Sequence, residues 1–168
     1  MNSMEYSEDK HKGSIKYINN KNDLREFLEY ERVLYNRKRI YMPLFCITEQ
    51  SYLWKHNVLL RKTEYYVNTG KRLRGLLYKV LLNRFRNNHL IQIPINTFDR
   101  GLKLMHLGPI LVNKNVKGGK DIALHINTCL VAGGTNHGAP TLEDGVVVGV
   151  GAVILGDVRI AKKRCNRS

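Results

Sequence analysis

Hydrophobic positions along this chain follow two different periods, and the change falls near residue 90. In the first half, apolar residues recur every three or four positions. Leu24, Phe27 and Leu28 share one helical face, with Asn22-Asp23 and then Glu26 reading as an N-terminal cap. A second helix is expected from about Ser51, through Leu53, Trp54, Val58 and Leu59. The clearest spans 71–86, where Leu73, Leu76, Leu77, Val80, Leu81 and Phe85 form one stripe with arginines and lysines around its other sides. That stripe is expected to pack against the segment that follows.

After Asn87-Asn88 the period becomes six. Phe98, Leu104, Ile110, Val116, Ile122 and Thr128 keep this spacing, and so do Leu142, Val148, Ile154 and Ile160. Between Thr128 and Leu142 the interval is fourteen, which reads as a frame slip of two. The slip falls on "AGGTNHGAP", a glycine-rich stretch suited to an excursion out of the repeat. Intervening positions do not alternate cleanly, and many are Gly, Asn, Asp or Lys, as in "VNKNVKGGKD". Very short strands, each with an inward aliphatic residue and turns between them, make the pattern of a β-helix. A barrel or sandwich would need longer alternating strands. Residues from about Ile91 to Ala161 leave room for between three and four triangular coils.

The expected organisation is a flexible N-terminus over 1–20 and an α-helical region over 21–90. A β-helix then covers 91–161, with a loop excursion at about 132–141, and an unpatterned basic tail covers 162–168. Hydrophobic content of 43% and charged content of 25% fit a soluble globular protein of 168 residues with one good core. No run is apolar enough to cross a bilayer, and the first residues lack the apolar core of a signal peptide. Cys46, Cys129 and Cys165 share no disulfide or metal spacing and read as reduced thiols in a cytoplasmic protein.

The net charge of +14 raises the question of nucleic acid. Lys71, Arg72, Arg74, Lys79, Arg84 and Arg86 lie within 71–90 with no acid among them, and Lys162, Lys163, Arg164 and Arg167 lie in the tail. A basic helix can grip phosphates. A solvated face opposite a buried one accounts for the same residues, and nucleic acid is not expected as the main partner. His106, His125 and His137 are separated by 19 and 12 residues, which matches no compact ligand motif, so no metal is expected.

"IQIPINTFDRGLKLMHLGPILVN" and "GGTNHGAPTLEDGVVVGVGAVILGD", together with the helical first half, resemble the serine acetyltransferase branch of the hexapeptide-repeat acyltransferases. The resemblance covers about residues 70–161 and implies a left-handed parallel β-helix preceded by an α-helical region, assembled as a homotrimer or a dimer of trimers. It implies acetyl transfer from acetyl-CoA, as co-substrate, to a hydroxyl acceptor. It places the general base at His106, and imidazole suits removal of a hydroxyl proton.

For the donor, the matching small residues are Gly133, Gly134 and Thr135, with Gly149, Gly151 and Ala152 in the next coil, where the pantetheine arm would approach the backbone. The same glycines also read simply as turn residues. The chain departs from the family at three positions. Met105 and Ile91 stand where the serine-specific enzymes carry aspartates that hold substrate and orient the base, so a His–carboxylate dyad is not evident. The family's second histidine falls on Ala139, and His137 lies two residues earlier, as a candidate substrate contact. L-serine is therefore one expected acceptor and a sugar hydroxyl of surface polysaccharide synthesis another; an inactive assembly subunit is the third reading.

The six-residue beat stops at Ala161. A single base inserted into an A-run would recast a regular continuation as Lys162–Ser168 followed by a stop, so the tail is expected to mark a C-terminal truncation of a longer β-helix. A basic tail in its own right is the alternative.

Overall fold

The computed structural model describes residues 16–43, 46–133 and 138–161. The tail 162–168 and loop positions Gly134, Thr135 and His137 lie outside the described residues. Three helices come first: α1 (Lys21–Leu34), α2 (Glu49–Asn68) and α3 (Arg72–His89). Ten short strands follow: β1 (Ile91–Gln92), β2 (Lys103–Leu104), β3 (Ile110–Val112), β4 (Lys117–Gly118), β5 (Ala123–Leu124), β6 (Thr128–Val131), β7 (Thr141–Leu142), β8 (Val147–Val148), β9 (Val153–Leu155) and β10 (Arg159–Ile160).

All strand pairs are parallel, and they form three sheets in the orders β1-β3-β6-β9, β4-β7-β10 and β2-β5-β8. Consecutive strands belong to different sheets, so the chain winds as a three-sided prism whose coils stack. Each side chain at an inward position is buried by the coils above and below it.

Register corrects the sequence frame. Phe98, Gly118, Leu142 and Ile160 form one stack, Leu104, Leu124 and Val148 a second, and Val112, Leu130 and Ile154 a third. Inside the stack two inward positions per side are buried, such as Ile110 with Val112 and Ile122 with Leu124, whereas β9 and β10 on the last coil bury none. The series of sixes follows the second position at Leu104 and the first at Ile110. Two additional residues in the corner between β2 and β3 make that change of position look like an unbroken six. The apparent slip of two at Thr128 is the same exchange in reverse. In the true frame the step is eight from Leu104 to Val112 and twelve from Leu130 to Leu142, so the glycine-rich loop inserts six residues.

The helices also differ in detail from expectation. α1 is capped by Asn20, whose extended backbone lets its side chain accept the Asn22 and Asp23 amides at 2.8 and 2.9 Å. Glu26 instead pairs with Lys16 and Arg100. α2 starts at Glu49, two residues before Ser51. Of the α3 stripe only Phe85 packs into the core, together with Leu82 and Gly75, whereas Leu73, Leu76, Leu77, Val80 and Leu81 face solvent. The helix is apolar on two sides, and the inward one is set by Leu82 and Phe85.

A buried ionic cluster fixes the helices to the first coil. The Arg61 guanidinium on α2 donates to Glu31 of α1 at 2.7 Å, to Glu64 at 2.9 Å, and to the Phe98 and Asp99 carbonyls. Glu31 also accepts the Gly101 and Leu102 amides. Burial alone would lower the Arg61 pKa, but Glu31 and Glu64 more than offset it, so the guanidinium stays charged. Asn57 donates to the Leu102 carbonyl, and Asn68 exchanges hydrogen bonds with Asn96. α2 is thus held along the first coil at several points, and its N-terminal turn reaches the corner after β2.

Candidate functional site at one edge of the prism

Three corners stack along the edge between the β2-β5-β8 sheet and the β1-β3-β6-β9 sheet. They comprise residues 105–109, 125–127 and 149–152. The lowest has five residues where the one above it has three. That extra length carries His106 outward, where its side chain is 57% exposed.

Glu49, in the first turn of α2, meets this corner with both oxygens. Oε1 accepts the Leu107 amide at 2.8 Å, and Oε2 lies 3.4 Å from His106 Nδ1. A carboxylate only accepts, so this contact requires the proton on Nδ1, and in the neutral ring that leaves the lone pair on Nε2. The sequence offers no carboxylate for this histidine, because Met105 and Ile91 stand where the resemblance would expect aspartates, and Ile91 is fully buried in the solenoid. The structure supplies one from 57 residues upstream.

One coil higher, His125 stacks near His106, with ring centroids 6.4 Å apart. The His125 amide donates to the Val148 carbonyl, which brings the Gly149 corner directly above it. His106, Gly149, Gly151 and Ala152 therefore share one edge. A Cβ added at Gly149 or Gly151 meets nothing within 4 Å, so neither glycine is required by close packing inside the chain. Gly151 has φ +72°, which by itself favours glycine. Beside this edge, Pro109, Leu111, Asn127 and Cys129 line a shallow hollow of about 270 Å³ on the outer face of the first sheet.

Gly133 lies elsewhere. It belongs to the corner between β6 and β7, and its amide donates to the Gly138 carbonyl across the neck of the loop. A Cβ on Gly133 would come within 3.1 Å of Gly156 Cα, so close packing onto the last coil accounts for this glycine. Within one chain it is not brought to the His106 edge. Among the described residues no three His, Cys, Asp or Glu side chains gather as a metal site.

No family model matches the sequence, and no curated protein matches it. Solved structures do match. A serine acetyltransferase from Brucella abortus strain S19 superposes with a TM-score of 0.58 at 18% identity, covering 83% of this chain and 57% of that one. A serine acetyltransferase from Neisseria gonorrhoeae superposes with a TM-score of 0.56 at 21% identity, covering 82% and 53%. The chain spans a little over half the length of each. It shares with them the left-handed parallel β-helix preceded by helices.

Proposed function

We propose that this chain is an acyltransferase that moves the acetyl group of acetyl-CoA to a hydroxyl, with His106 as general base. The observation that carries the reading is the His106–Glu49 pair on the enlarged corner. Nε2 removes the acceptor's hydroxyl proton as its oxygen attacks the thioester carbonyl. The carbon–sulfur bond then breaks, and the imidazolium returns its proton to the departing thiolate. The products are an O-acetyl ester and free CoA, with no intermediate on the protein.

The open edge above His106, at Gly149, Gly151 and Ala152, suits a pantetheine arm lying against backbone. Gly133, which occupies a different edge, would serve the same donor from a neighbouring chain, and Gly134 and Thr135 remain candidate donor contacts from the resemblance alone. Exposed Leu111, Val147, Val150, Val153 and Leu155 flank the His106 edge and give a homotrimer apolar surface to bury. His137 remains a candidate substrate contact from the resemblance alone.

The acceptor is L-serine or a sugar hydroxyl. Met105 and buried Ile91 offer no charge for an amino group, which favours the sugar. Release of free thiol from acetyl-CoA, with L-serine and a panel of sugars offered in parallel, tests the proposal. His106→Ala is expected to abolish release while leaving the fold intact. Unchanged release would remove His106 from the mechanism. No release with any acceptor from the wild-type chain would favour the inactive assembly subunit.

A further inference from the structure

The outward face of α3 combines two properties that a solvated helix does not. Leu73, Leu76, Leu77, Val80 and Leu81 form a continuous apolar strip, with Leu73 86% and Leu76 63% exposed. Arg72, Arg74, Lys79 and Arg84 surround the strip, and α3 carries no acidic residue. The opposite side of the same helix is already satisfied by the burial of Gly75, Leu82 and Phe85. The strip therefore does nothing for the fold of the single chain.

We propose that this face rests on an anionic lipid surface, with α3 lying in the plane of the interface. Aliphatic side chains would enter the boundary between headgroups and acyl chains, and the arginines and lysine would meet lipid phosphates and carboxylates. Arg84 lies at the C-terminal end of the strip, where its stem can run along apolar surface while its guanidinium reaches the headgroups. The helix lies on the bilayer and does not cross it: no helix among the described residues is long and apolar enough to span one.

Charge complementarity selects this occupant. A second copy offering the same face would bring like cations together around the contact, with no carboxylate on either helix to offset them. Among the acids of α1, Glu31 is buried with Arg61, and Asp23, Glu26 and Glu29 already pair with Lys16 and Arg32, so a contact with α1 of another copy would have to displace those partners. Nucleic acid would meet the cations but would find aliphatic side chains at the middle of the face, where phosphate contacts are needed. A lipid surface meets both the strip and its rim.

Flotation of the full-length protein with vesicles decides the matter. Binding is expected to phosphatidylcholine vesicles containing about one third phosphatidylserine, and not to phosphatidylcholine alone. Leu76→Gln/Val80→Gln should weaken binding about tenfold or more, and Arg72→Gln/Arg74→Gln roughly fivefold per charge. Circular dichroism of each variant checks that the helices remain. Failure of the wild type to float with anionic vesicles at low salt overturns the proposal. So does a change in the vesicle-free sedimentation of the Leu76→Gln/Val80→Gln protein, which would assign the face to a protein interface.

Discussion

Glutamine at position 49 should damage catalysis more than alanine there, although glutamine is the closer mimic in shape. In the wild type, Glu49 Oε1 accepts the Leu107 amide, which points Oε2 at His106 Nδ1. Glutamine keeps the first bond only by placing its carbonyl on Leu107, and its NH2 then faces Nδ1. An NH2 donates, so Nδ1 must accept, and the ring proton moves to Nε2, the nitrogen required as base. Alanine imposes neither tautomer and leaves Nδ1 to water.

Exposure sets the size of the effect. At 3.4 Å, with His106 57% and Glu49 41% exposed, the pair is worth what exposed pairs are worth, about 0.2–1 kcal/mol. Losing the preference in Glu49→Ala costs up to about fivefold in kcat/KM, and reversing it in Glu49→Gln costs up to about thirtyfold, at 1.36 kcal/mol per factor of ten. Both fall below the roughly 10²–10⁴-fold expected of a lost base in His106→Ala. The assay is thiol release from acetyl-CoA, with the His106 tautomer read separately from imidazole nitrogen NMR shifts. Glu49→Gln matching the wild type, or Glu49→Ala falling below Glu49→Gln, would refute the reasoning. The tautomer reading reports on the pair even if no acceptor is found.

Arg61→Met should cost about 3–5 kcal/mol in urea unfolding, because it strands Glu31 and Glu64 in a buried site; a loss below about 1 kcal/mol would contradict the ionic anchor. A Cβ at Gly118 would collide with the Phe98 ring, so Gly118→Ala should destabilise by about 1–3 kcal/mol, and Phe98→Leu should recover part of that in the double variant. Burial pushes the His56 pKa down to about 3, with Arg86 adding to the effect. The unfolded chain, with an ordinary histidine near 6.5, then binds the extra proton, so stability falls as pH drops below that value, by up to about 1.4 kcal/mol per pH unit. His56→Gln should flatten the change in urea midpoint between about pH 7 and pH 5; an unchanged slope would assign it to other groups.

The solenoid is legible in the sequence because its physics is periodic. Each strand must place aliphatic residues inward, and three strands close a coil, so Leu104, Ile122, Leu142 and Val148 stand out of a polar background. The frame is less legible because two inward positions per strand give two equally good sets of sixes. Phe98 to Thr128 looks continuous only because an enlarged corner moves the chain from one set to the other. α3 shows a similar ambiguity: most of its regular stripe is exposed, and only its last member, Phe85, joins Leu82 to cover the core. Periodicity reveals that a face is apolar and does not say what covers it.

These ambiguities bear directly on the candidate site. The two residues that hide the frame are the ones that lift His106 out of the prism. A corner of three residues, like 125–127 above it, would hold a histidine closer to the sheet and farther from α2. The lengthened corner meets Glu49, which no motif around His106 could have indicated, since the contact depends on where α2 docks. That docking rests on Arg61, Asn57 and Asn68, all on the same helix as Glu49 and all bonded to the first coil or its partner helix. The side chains that look purely structural thus set the position of the carboxylate. Weakening the Arg61 cluster should therefore lower activity in a folded protein as well as stability, through the distance between α2 and residues 105–109.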